Sequence, residues 1–126
     1  MGQKVLLIED EPNIVEAIRF ILNREGWDVE SHRDGTEAVD VVLTCRPDLV
    51  ILDMMLPGRS GMDILRDLRR LPELANLPVL MLTARGQARD RGMAEEAGVS
   101  RFMTKPFSNI EVLTAVRDLV AQASRS

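Results

Sequence analysis

The sequence predicts an α/β protein of the doubly wound type, (βα)5: a five-stranded parallel sheet in the order 2-1-3-4-5 with helices on both faces. Three observations predict it. Short apolar runs at 5–8, 49–52 and 79–82 lack the polar alternation of a sheet with one wet face, as expected of strands covered on both sides. Between them lie stretches with apolar residues at helical spacing, so successive strands are joined by crossovers and run parallel. Right-handed crossovers leave few topologies, and the doubly wound order sets the first and third strands side by side at the switch point.

The first strand, 5–8, ends in the acidic run Glu9-Asp10-Glu11. Pro12 suits the first position of a helix, where its missing N–H would have no partner anyway. Ile14, Ile18, Ile21 and Leu22 then recur at helical spacing, and Glu25-Gly26 closes the helix. Residues 27–31 alternate enough for a second, more exposed strand, followed by a turn at Arg33-Asp34-Gly35. Ala38, Val39, Val42 and Leu43 mark the second helix, ended by Pro47. Four apolar residues of the third strand run into Asp53, and the chain turns at Pro57-Gly58. Ser60 caps a third helix carrying Met62, Ile64, Leu65 and the apolar positions in 68–71. Pro72 begins the way out, and 72–76 is a short connection with some helical propensity. The fourth strand, 79–82, ends in Thr83-Ala84. The segment 85–97 contains Gly86 and Gly92 and few strongly apolar residues, so its helix should be the least stable, an interior glycine costing about 1 kcal/mol relative to alanine. Gly98 ends it. A short fifth strand at 101–104 leads to Lys105-Pro106-Phe107, and Ser108 or Asn109 caps a final helix with Val112, Leu113, Val116, Leu119 and Val120 as its apolar face.

A chain of 126 residues is expected to form one domain, 1–126 with a core of about 4–121, burying roughly two-thirds of its unfolded surface. Its 45% apolar and 29% charged residues are ordinary for a soluble globular protein, and no apolar run approaches a membrane span. Residues 1–4 lack the apolar run of a signal peptide, which points to the cytoplasm. A net charge of −4 without a basic tract argues against direct contact with nucleic acid. The single Cys45 cannot form an internal disulfide and reads as packing. The single His32 leaves no His-rich metal cluster, Ser-His pair or structural zinc site.

The functional signal is the set of strand ends. In an open α/β sheet ligands bind outside the carboxyl ends of the strands, and there the expected order brings Glu9 and Asp10 beside Asp53, with Thr83 and Lys105 on the next two strand ends. By itself Asp53 is also what a residue opening a turn looks like; the convergence separates the two readings. Close carboxylates raise one another's pKa unless a cation joins them. Mg²⁺, or Mn²⁺ in its place, suits such oxygen donors and leaves room for a phosphoryl oxygen, whereas zinc or copper would want softer ligands. Lys105 adds a positive charge, Thr83 a hydroxyl and the backbone about Ala84 N–H groups. Together they make a cradle for a transferring phosphoryl group with Asp53 as nucleophile. A GxxxxGK loop and a dinucleotide fingerprint are both missing, so a nucleotide site is not expected.

Four strings carry a resemblance: Leu6-Leu7-Ile8-Glu9-Asp10-Glu11, the run from Pro47 through Asp53-Met54-Met55-Leu56-Pro57-Gly58, Thr83-Ala84, and Phe102-Met103-Thr104-Lys105-Pro106-Phe107. In this order and spacing the chain resembles the receiver (response-regulator) domain of two-component and phosphorelay signalling, of flavodoxin-like fold and similar to chemotaxis regulators. The resemblance implies that Asp53 accepts phosphate from a phosphohistidine on a sensor histidine kinase or histidine phosphotransfer protein. It implies metal ligation by Asp10, Asp53 and the Met55 backbone carbonyl, with Glu9 acting indirectly or through water, and phosphoryl contacts from Thr83, Ala84 and Lys105. A cis Lys105-Pro106 bond is implied as well. So is a switch in which Thr83 swings toward the phosphoryl oxygens and Phe102 fills the vacated space, changing the face of the fourth helix, fifth strand and fifth helix. Phenylalanine in place of the commoner tyrosine keeps the bulk and drops the hydroxyl. Met55 and Arg85 resemble positions flanking the path of the hydrolytic water and are expected to modulate the rate of dephosphorylation.

Residues after Ala121 resemble no output module, so the expected output is a downstream protein or an attached domain, with the chain monomeric or weakly dimeric. Receivers attached to winged-helix domains usually carry an acidic pair before the fifth strand and an arginine in the last helix. Val99-Ser100 and Ala115 stand in those places, which favours a stand-alone regulator or another output. A metal-dependent phosphohydrolase would want an acid two residues beyond Asp53, where Met55 stands. An inactive interaction scaffold would be expected to have lost an acid, the threonine or the lysine. The protein is therefore read as assisting its own phosphorylation and dephosphorylation, without turning over a separate substrate or contacting membrane.

Overall fold

A computed structural model describes residues 3–84 and 88–125. Its elements follow in the order β1 (Lys4–Ile8), α1 (Pro12–Arg24), β2 (Asp28–His32), α2 (Ala38–Cys45), β3 (Leu49–Asp53) and α3 (Gly61–Arg70). After a 3-10 turn at Pro72–Leu74 come β4 (Val79–Thr83), α4 (Ala88–Glu96), β5 (Arg101–Thr104) and α5 (Asn109–Arg125). All strand pairings are parallel, and the sheet order is β2-β1-β3-β4-β5, as the sequence predicts.

Alternation along each strand divides the apolar residues between two layers. Val5, Leu7, Leu49, Ile51, Leu80 and Leu82 face α1 and α5, packing with Ile18, Leu22, Val112 and Val116. Leu6, Ile8, Val50, Leu52, Val79 and Met81 face α2, α3 and α4, packing with Val42, Ile64, Leu65, Leu68 and Ala94. Every residue of β3 and β4 is buried, which is why those strands read as continuous apolar runs. Among the described residues no helix is long and apolar enough to cross a membrane.

Helix ends follow local chemistry. Pro12 opens α1. Ser60 caps α3 by accepting from the Asp63 N–H at 3.2 Å. At α5 Ser108 is the cap: its hydroxyl accepts from the Glu111 N–H at 3.1 Å while Glu111 accepts from the Ser108 N–H at 2.9 Å, a reciprocal capping box. The second strand differs from the expected 27–31 by one residue. Trp27 donates its N–H to the Leu22 carbonyl at 3.0 Å to close α1 behind Gly26, whose φ is +90°, so pairing with β1 begins at Asp28. The 72–76 connection contains a short 3-10 turn, and α4 carries a single buried residue, Ala94.

Arg69 ties the far end of α4 to α3. Its Nε donates to the Gly98 carbonyl at 2.8 Å and a terminal nitrogen to the Leu74 carbonyl at 2.9 Å, with a longer 3.4 Å bond to the Ser100 hydroxyl. Gly98 has φ +96°, and its bare α-carbon lets the arginine stem lie against it.

Candidate functional site

Strand register brings the site together. Ile8 of β1 pairs with Leu52 of β3, so Glu9 and Asp53 are the next residues on adjacent strands. Asp53 pairs with Leu82 of β4, which sets Thr83 one step beyond, and Thr83 pairs with Thr104, one residue before Lys105. The sheet thus delivers Glu9, Asp10, Asp53, Thr83 and Lys105 to one edge. Glu9, Asp53 and Thr83 are buried there, and Asp10 is partly exposed.

The carboxylates of Glu9, Asp10 and Asp53 each present an oxygen within 4.8 Å of the others. Lys105 enters the same space, its Nζ 2.9 Å from Glu9 Oε1, 3.2 Å from Asp53 Oδ2 and 3.3 Å from Glu11 Oε1. Asp53 Oδ1 accepts from the Met55 N–H at 3.1 Å, and Glu9 Oε2 accepts from the Glu11 N–H at 3.2 Å. Glu9 Oε1 is buried and, although at ion-pair distance from Lys105, makes no hydrogen bond of proper angle. Burial pushes the Glu9 carboxyl up to about 7, and Asp53 adds to the rise against the pull of Lys105 and the Glu11 N–H. Burial also works against the Lys105 charge, yet the carboxylates of Glu9 and Asp53 outweigh it and hold the ammonium above the usual lysine value. Negative charge therefore exceeds what one lysine compensates. Three hard oxygen donors with a hydrogen-bond-deficient oxygen among them fit a divalent cation of the Mg²⁺ type.

The remaining expected residues distribute as follows. Ala84 follows Thr83 at the exposed end of β4, and the Thr83 carbonyl accepts from the Lys105 N–H at 2.7 Å. The Lys105-Pro106 bond is cis. The Met55 side chain is 73% exposed beside Asp53. Phe102 is half-buried on the α4 side of β5, and Arg85 lies outside the described residues. Cys45 is half-buried at the end of α2, where burial pushes its thiol up to about 11, as suits a packing residue.

Three contributors were not singled out from sequence. Glu11 shares Lys105 with Glu9 and Asp53; its place in the acidic run was the available signal. Gly61 donates its N–H to the Met54 carbonyl at 2.9 Å, and a Cβ there would run into the Asp53 carbonyl. Its only trace in sequence is a glycine directly after the Ser60 cap. Arg91 of α4 sets its guanidinium over the Phe102 ring, 5.4 Å from the centroid, a contact that no local pattern announces.

A family model described as response regulator receiver domain matches residues 5–117. Solved structures are similar along nearly the whole chain. The signal receiver domain of a signal transduction histidine kinase from Syntrophus aciditrophicus is 33% identical with a TM-score of 0.90, covering 99% of this chain and 95% of that one. The BeF3-activated N-terminal receiver domain of Klebsiella pneumoniae RstA is 31% identical with a TM-score of 0.86, covering 93% and 97%. The chemotaxis response regulator CheY4 of Vibrio cholerae is 25% identical with a TM-score of 0.88, covering 94% and 99%.

Proposed function

The chain belongs to the response regulator receiver domain family of two-component signalling, and from that membership we propose that Asp53 is its phosphoacceptor. The observation that carries the reading is the meeting of Glu9, Asp10 and Asp53 with the Lys105 ammonium at one edge of the sheet. As a family, receivers are signalling modules that engage histidine kinases or phosphotransfer proteins and output domains. Here the donor is a phosphohistidine on one of those proteins, in the cytoplasm, and residues 1–126 act as one unit.

An Asp53 carboxylate oxygen attacks phosphorus while the P–N bond to the donor imidazole breaks and its electron pair returns to the ring. Lys105 exchanges part of its pairing with Glu9, Glu11 and Asp53 for the phosphoryl oxygens. Thr83 donates its hydroxyl and Ala84 its N–H to the same oxygens. Asp10, Asp53 and the Met55 carbonyl would hold Mg²⁺, or Mn²⁺, with Glu9 helping through water. The ion, when bound, neutralises charge on the transferring group.

The aspartyl phosphate acts on the rest of the fold through Thr83. Its hydroxyl turns toward the phosphoryl group, and Phe102 moves from the groove beside α4 toward the space released. The α4, β5 and α5 face changes for a downstream protein or an attached output domain. Met55 and Arg85 tune how readily water reaches the phosphoryl group.

Incubation with acetyl phosphate and Mg²⁺, followed by intact mass measurement, tests the assignment. The wild type gains one phosphoryl group and Asp53→Asn gains none. A variant that is still phosphorylated at another residue under native conditions overturns it.

A further inference from the structure

Successive residues of β5 fall on opposite sides of the sheet. Met103 is buried in the layer with α1 and α5, whereas Phe102 meets the α2, α3 and α4 layer only at its margin, half-buried. From α4, the exposed Arg91 covers that ring, its guanidinium 5.4 Å from the centroid. Both residues line one open groove of 640 Å³ together with Arg101, Pro106, Ile110 and Thr114. Among the described residues Arg91 makes no salt bridge, and its guanidinium lies over the ring.

We infer that Arg91 is a positioning residue for the aromatic switch: its guanidinium holds Phe102 at the groove and opposes the ring's passage toward Thr83. The inference rests on the switch reading proposed above and names what biases it. A cation over an aromatic face is attracted by the ring's negative quadrupole. Inward movement of Phe102 forfeits that attraction, since α4 and not β5 carries the arginine. The consequence follows from populations: with the inward-ring state as the one that takes the phosphoryl group, whatever lowers its share slows phosphorylation of Asp53 by the same factor. For a contact exposed on one side the expected factor is about two- to fivefold.

Fluorine NMR of protein labelled with 4-fluorophenylalanine tests this. The chain has 3 phenylalanines, and Phe102→Leu assigns the resonance of interest. Arg91→Met keeps the apolar stem and removes the charge; Arg91→Lys keeps a cation. In the unphosphorylated Arg91→Met protein the Phe102 resonance moves part of the way toward its phosphorylated position. Its phosphorylation by acetyl phosphate also becomes about two- to fivefold faster, and Arg91→Lys stays close to wild type in both respects. A methionine variant with the wild-type resonance and rate overturns the inference. So does a resonance displaced equally in the phosphorylated and unphosphorylated forms, which is the direct effect of the lost charge and nothing more. Failure of the underlying readings looks different. If wild type gains phosphoryl mass while its Phe102 resonance stays put, the switch is wrong and the inference falls with it. If wild type gains no mass, the phosphoacceptor assignment is what fails.

Discussion

Glu9 is a residue whose protonation state depends strongly on its surroundings. Its carboxyl is buried and pushed up to about 7 from an ordinary 4.5. A carboxyl raised in the folded state binds its proton more tightly than the unfolded chain does. Its contribution to stability is therefore fully present below about pH 4.5 and is lost as the pH rises through about 7. A divalent metal held as proposed would offset that loss by replacing the proton. Thermal denaturation should thus show Mg²⁺ raising Tm more at about pH 8 than at about pH 5.5, and a Glu9→Gln protein should lose most of that difference. Equal Mg²⁺ effects at the two pH values would contradict the pairing of proton and metal at this carboxylate. Gly61 offers a purely steric counterpart. A methyl group there meets the Asp53 carbonyl and the Met54 backbone, so Gly61→Ala should cost about 1–3 kcal/mol in urea denaturation and displace the acidic site with the loop. The acids, Thr83 and Lys105 were legible in sequence because register alone brings strand ends together. Gly61, Glu11 and Arg91 act through approaches between segments distant in sequence or across a loop, and residue order carries no measure of such distances.

Among the elements, α5 and α4 stand at opposite extremes. The reciprocal cap at Ser108 and Glu111 and the buried stripe Val112, Ala115, Val116 and Leu119 anchor α5. Ser108→Ala should cost about 1 kcal/mol, read by thermal denaturation, with exchange protection falling first in the opening turn of α5. By contrast α4 buries only Ala94 and carries Gly92, whose surroundings are open enough that a Cβ would touch nothing within 4 Å. Its described amides should exchange fastest of the five helices, and Gly92→Ala should slow them while stabilising the protein by up to about 1 kcal/mol. Faster exchange in α4 of that variant would count against propensity as the cause. The sparse burial of this helix was readable from its shortage of apolar residues; of the two glycines behind the expected low stability, Gly92 lies in α4 and Gly86 outside the described residues. The start of β2 was not, because Trp27 looks like a strand residue in composition and is claimed instead by a hydrogen bond back to Leu22.

At the scale of the whole molecule the sheet separates two apolar layers, one against α1 and α5 and the other against α2, α3 and α4. Ile51 and Leu52, adjacent in β3, belong to different layers and are both fully buried. Each should cost about 2–5 kcal/mol when cut to alanine, measured by urea denaturation. The fold class was recoverable from sequence for the same reason, since a strand buried on both faces has little choice but to be apolar throughout. The Arg69 tether gives this architecture a direction. With Gly98 and Ser100 fastened to α3, any displacement of α4 should be smallest at that end and grow toward Ala88, as in a lever whose fulcrum is a guanidinium. A partner reading the Ala88 end would sense a larger excursion than one seated near Gly98, and cutting the tether would turn a tilt into a slide.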